Sequence, residues 1–187
     1  MKWIFALIFW ITATVATAQA VPFKLNLNKS NVDFIYSFNS SSIKGTIPLQ
    51  SADVSLDLRN IANSKVSVQL SPSKAEGGFP FATPILRGAE MLDAANHPSM
   101  AFVSTAIRGT FPTGKMTGNL TMAGVTHPVT LDAQVFRQTG TDPSNLSQLV
   151  IELKGSLNRH DFDMSGYTGF VDDIVHLRIM AWIDRTG

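Results

Sequence analysis

Period-two alternation of apolar and polar residues runs along the chain and constrains its fold more than any other feature. Phe23, Leu25 and Leu27 alternate with Lys24 and Asn26, and Val32, Phe34, Tyr36 and Phe38 share one face of the next run. Val54, Leu56 and Leu58 repeat the pattern against Ser55 and Asp57, as do Val66, Val68 and Leu70 against Ser67 and Gln69. Successive side chains of a strand point to opposite faces, so each run has one dry face and one wet face. The segment KMTGNLTMAGVTHPVTLDAQVF carries this pattern through a turn. Met116, Gly118, Leu120 and Met122 point one way, and beyond Gly124 so do Val129, Leu131, Ala133 and Val135. This predicts an antiparallel hairpin solvated on one side.

Further runs cover residues 99–110, 149–158 and 174–184, the last with Val175, Leu177, Ile179, Ala181 and Ile183 on one face. The strands number about eight or nine, nearly all linked to their sequence neighbours. Closure removes the exposed edges of such a sheet, so the fold expected is all-β, an antiparallel barrel of about eight strands. One segment, FATPILRGAEMLDAANHP, breaks the alternation. Thr83 can cap a helix with Pro84 at its first position, Ile85, Ala89 and Leu92 recur at helical spacing, and His97-Pro98 ends it. A short helical insert between two strands follows.

Residues 1–20 stand apart. Lys2 precedes an apolar run over residues 3–15, and then come the small-x-small triplets Ala16-Thr17-Ala18 and Ala18-Gln19-Ala20. This is the plan of a secretory signal peptide, with an apolar stretch short for a membrane span. Cleavage after Ala18 or Ala20 is expected, leaving residues 21–187 as one domain in the periplasm with no transmembrane segment. The chain has no cysteine, so an exported protein of this composition is held by its core and not by disulfides. Removing Lys2 leaves basic and acidic residues balanced, which argues against nucleic acid or an anionic membrane surface as partner. A partner read by shape and apolar contact is expected instead.

Catalytic motifs are sparse. In NRHDFDMSGYTGFVDD, Asp161, Asp163, Ser165, Gly166 and Asp172 match the spacing of a calcium loop. Such a loop needs flanking helices and a bidentate Glu at its end, whereas strands and the shorter Asp172 stand here. His97, His127, His160 and His176 fit no helical metal spacing. There is no G-x-S-x-G elbow and no phosphate-cradling glycine loop. Two facing carboxylates would suffice for glycoside chemistry, and the acid count alone supplies them. The positive signal is a surplus of large, adaptable apolar side chains for one interior. An eight-stranded barrel is the size at which that interior is either plugged or open to one ligand.

Several short motifs occur in order: KSNVDF, Gly45, Leu92-Asp93, HPSMAFVS, GNLTMAGVTHPVTL and NRHDF. Together they resemble the YceI-like family of periplasmic, polyisoprenoid-binding, lipocalin-like proteins, over nearly the whole of residues 23–184. The resemblance implies a lipocalin-like eight-stranded barrel, a carrier function without catalysis, no cofactor, and a long isoprenoid lipid, such as a quinone precursor or a polyprenyl lipid, as bound ligand. NRHDF looks like a strand-end signature of that family. The residues expected to face this ligand are Phe34, Tyr36, Phe38, Phe102, Met116, Leu120, Met122, Leu131 and Val135 of the strands. Phe81, Ile85, Leu86 and Leu92 of the insert, with Phe162 and Met164 of the late loop, complete the set. Two other readings stay open: a metal-dependent or hydrolytic stress enzyme using residues 158–176, and a filled barrel that works through its outer surface. Pairing of two barrels is open as well.

Overall fold

The computed structural model describes residues 20–186, apart from 141 and 143. The leader expected at residues 1–20 lies outside the described residues, save for Ala20. Strands β1 (Val21–Leu25), β2 (Asn31–Phe38), β3 (Ser41–Thr46), β4 (Leu49–Leu56) and β5 (Lys65–Leu70) precede helix α1 (Ala82–Arg87). Strands β6 (Met100–Thr110), β7 (Thr113–Met122), β8 (Val125–Arg137), β9 (Gln148–Asn158) and β10 (Ile174–Arg185) follow it. All pairings between them are antiparallel, in the order β1-β4-β5-β6-β7-β8-β9-β10, and β1 returns to β10 to close an eight-stranded barrel.

The β2–β3 hairpin joins the wall where β1 leaves it. β10 pairs with β2 from His176 to Met180 and with β1 from Ile183 to Arg185. At the changeover the Trp182 N–H donates to Ser30 Oγ at 2.9 Å and its carbonyl accepts from the Asn26 N–H at 2.8 Å. The far edge of the hairpin is knitted to the segment after β5, where Thr46 and Glu76 exchange both backbone hydrogen bonds at 2.9 and 2.8 Å. Ten strands among the described residues thus exceed the eight or nine expected, because β3, whose sequence SSIKGT carries no clear alternation, pairs with the second run as the other arm of this extra hairpin.

Turn chemistry sets the register. Ala123 and Gly124 have φ of 49° and 80°, so a two-residue turn of the kind that matches strand twist pairs Met122 with Val125. Met116, Leu120, Met122, Val129 and Leu131 then fall inside and are buried. Outside, Thr117 bonds Thr130 at 2.9 Å and Thr121 bonds Thr126 at 2.8 Å, cross-strand pairs on the wet face.

The insert differs from its expected form. The helix is six residues long and begins at Ala82, with Phe81 as its N-cap. Thr83 does not cap it: its Oγ1 accepts from the Gly77 N–H at 3.1 Å, tying the helix to the strand-like segment beneath. Gly88, in extended conformation, ends it, and its N–H returns to the Ile85 carbonyl. Residues 88–97 are turns in which Leu92, only 2% exposed, points down into the core. No helix among the described residues is long and apolar enough to cross a membrane.

Candidate functional site

The inward faces of the strands do not meet across the lumen. Two adjoining apolar chambers remain, of about 190 Å³ and about 240 Å³. These chambers favour an open barrel over a filled one. The first chamber lies within the closed ring, and the only side-chain polar atoms on its lining belong to Ser64 and Thr113. The second lies under the β2–β3 hairpin, between α1 and the loop after β9. Phe34, Ile47, Met122, Leu157 and Leu177 line both.

Glycines help to keep the lumen open. A Cβ on Gly45 would come within 2.1 Å of the ring tip of Phe34, and one on Gly118 within 2.3 Å of that of Phe102. Each ring lies flat over the bare backbone of a neighbouring strand. Packed this way, large side chains cover the wall without projecting across the barrel.

The loop after β9 is built around one charge. Asn158 Oδ1 accepts from the His160 N–H at 3.0 Å and starts a 3₁₀ turn over Arg159–Phe162, which Asp163 ends in left-handed conformation at φ 58°. Arg159 is 0% exposed. Its guanidinium donates to the carbonyls of Met164 at 2.6 Å and Gly166 at 2.7 Å, and more weakly to those of Asp172 at 3.2 Å and Val171 at 3.4 Å. A buried charge is tolerable only when hydrogen-bonded in this way. The loop therefore wraps its own backbone around the arginine, and Met164, Tyr167 and Val171 become one side of the second chamber.

The acidic residues of the segment have separate roles and do not converge on one point. Asp161 faces His127 at 3.9 Å, Asp163 holds the turn, and Asp172 presents its carbonyl to Arg159. His160 pairs with Asp173 at 2.7 Å. Among the described residues no group of three or more His, Cys, Asp or Glu side chains is placed to share a metal ion.

Of the residues singled out from the sequence, Phe102, Met116, Leu120, Leu131 and Val135 line the first chamber. Tyr36, Phe38, Phe81, Ile85, Leu86, Leu92 and Met164 line the second, while Phe34 and Met122 stand at both. Phe162 lines neither: it is 0% exposed and lies behind the wall, edge-on to His127 with ring centroids 5.9 Å apart. Sequence reasoning passed over Ile47, Leu157 and Tyr167. Ile47 and Leu157 sit at strand ends, where alternation no longer says which way a side chain points.

The second chamber opens at a rim where Phe81 is 80% exposed and Ile85 and Tyr167 are about two-fifths exposed. Polar atoms near it are already engaged. The Tyr36 hydroxyl donates to the Gly77 carbonyl at 2.7 Å, and burial pushes its pKa up. Walls of this kind select hydrocarbon by excluding water and offer no free charge to grip an ionic head group.

Comparison with known proteins agrees with this architecture. Protein YceI of Salmonella newport is 30% identical over 169 residues, 89% of this chain and 88% of that protein. The crystal structure of Burkholderia cenocepacia BcnA superposes with a TM-score of 0.75 at 21% identity, covering 85% of this chain and 99% of that one. A polyisoprenoid binding domain from Saccharophagus degradans, implicated in plant cell wall breakdown, has a TM-score of 0.64 at 8% identity, covering 89% and 99%. A YceI-like domain matches residues 23–181, and with the closed barrel, the insert and the NRHDF loop in place, the chain belongs to the YceI-like family.

Proposed function

We propose that the protein is a carrier that holds the hydrocarbon tail of an isoprenoid-type lipid inside its barrel, binding it without chemical change. The observation that carries this reading is the apolar path through two adjoining chambers, lined from the exposed rim at Phe81 to the far end at Phe111 and Pro112. Each methylene taken from water contributes about 0.8 kcal/mol, so a long tail has strong reason to enter. Ordering of the flexible chain offsets much of that gain, and affinity does not grow in proportion to length. The description of the Saccharophagus degradans domain as polyisoprenoid-binding supports the same class of ligand.

The leader-like pattern of residues 1–20 supports a periplasmic setting for this activity, where a water-insoluble lipid needs a protein to cross an aqueous gap. With no free polar group in the chambers, the head group of the ligand stays at the rim. Native mass spectrometry of the protein purified from its own cell envelope, followed by lipid extraction, tests the proposal. A mass adduct identified as an isoprenoid is expected. Recovery of empty protein that also fails to take up added isoprenoid alcohols would overturn it.

A further inference from the structure

We infer that the waist between the two chambers sorts ligands by tail length: a short tail lodges in one chamber, and a long one threads the waist and fills both. The inference rests on the carrier reading and specifies which tails that site accepts.

The waist has one fixed side and one compliant side. Phe34 is held on β2 between Gly45, whose bare backbone its ring covers, and Tyr36, whose ring stacks on it with centroids 5.9 Å apart at 27°. A Cβ at position 45 would strike the Phe34 ring at 2.1 Å, so the ring has no room to withdraw in that direction. Ile47, buried and β-branched, stands with Phe34 on the stiffer side, and Met122, Leu157 and Leu177 complete the set that both chambers share. Met122 is unbranched and ends β7 beside a two-residue turn, and Leu157 and Leu177 are only half-buried. Methionine adapts its shape at little cost, so passage displaces these side chains and leaves Phe34 in place. A tail short enough for one chamber touches them from one side and does not pass between them.

Farnesol and solanesol, isoprenoid alcohols of short and long tail, separate the possibilities. The wild-type protein, titrated with each and read by native mass spectrometry, is expected to take up one molecule of either at saturation, farnesol within the second chamber and solanesol through both. Leu157→Trp fills the waist from β9, and Leu177→Phe does so from β10. In whichever variant keeps the wild-type Tm, solanesol binding is expected to weaken at least about tenfold more than farnesol binding, equivalent to about 1.4 kcal/mol. Equal weakening of both alcohols, or weakening of neither, would overturn the waist as a length discriminator while leaving the carrier reading intact. Failure of the wild type to bind either alcohol would remove the carrier reading itself and the inference with it.

Discussion

Replacing Arg159 by Met keeps most of the length of the side chain and removes its five N–H donors. Two bonds are short, to Met164 at 2.6 Å and Gly166 at 2.7 Å, and hydrogen bonds to a charged group contribute about 1.5–3 kcal/mol each. Those two alone are worth about 3–6 kcal/mol. The bonds at 3.2 and 3.4 Å and the Asp173 carboxylate at 3.7 Å add little by comparison. Against this, the variant no longer buries a cation, which offsets part of the loss. A net destabilisation of about 3 kcal/mol is expected, measured by urea unfolding of wild type and variant. Arg159→Lys should recover less than half of it, since one ammonium cannot reach carbonyls arranged around a planar fork.

The loss should also be local. Hydrogen exchange should accelerate first at the amides of residues 163–171, and the second chamber, which borrows Met164, Tyr167 and Val171 as a wall, should lose ligand before the barrel unfolds. A variant within about 1 kcal/mol of wild type would refute the reasoning, because charge-assisted bonds in a fully buried site cannot vanish at so small a cost. Exchange that speeds up evenly over the whole chain would refute the local part of it.

Leu120→Trp enlarges a side chain that already faces the first chamber; it should displace the lipid while leaving the apo Tm nearly unchanged, whereas a loss of about 1–3 kcal/mol in a thermal melt would mean that the space is filled. Asp57 accepts from the Asn63 side chain and from the backbone N–H groups of Asn60 and Arg59, which hold its carboxyl below the usual carboxylate range. Its contribution to stability is therefore complete above the ordinary carboxylate pKa and disappears as pH falls through the lowered value. Wild type minus Asp57→Ala stability, followed by urea unfolding across acid pH, should shrink in that window, and a pH-independent difference would contradict the assignment. Amino-terminal sequencing of the exported protein should find Gln19 or Val21 first; retention of Met1 would speak against the leader.

Alternation made most of the barrel legible because a strand with one dry face records its orientation residue by residue, as from Met116 to Met122. It also identified most of the chamber lining, since facing inward and lining the lumen are the same condition in an open barrel. What escaped depends on partners distant in the chain. Gly45 reads only as one member of the ordered motif series until β2 is laid beside it and Phe34 is found across its backbone. Arg159 reads as part of a motif, because its partners are carbonyl oxygens that every residue possesses. Thr83 carries the right chemistry for a cap, yet its hydroxyl is claimed by the Gly77 N–H of a neighbouring segment. In each case the sequence names one member of a contact whose other member is backbone.

The divided partnership of β10 means that the molecule has two belts of unequal mechanical rank. Around the lower belt, β1 stitches β10 to β4 and the hoop is complete. Around the upper belt the hoop is a hairpin hung on β10 from His176 to Met180, tied to the segment after β5 by a two-bond clasp between Thr46 and Glu76 and by the Tyr36 hydroxyl on the Gly77 carbonyl. Releasing those ties frees the hairpin's far edge without disturbing any rung below Met180. The lower hoop has no such seam, since strand pairing binds β1 to both of its neighbours, so the wall is held rung by rung below and by short ties above.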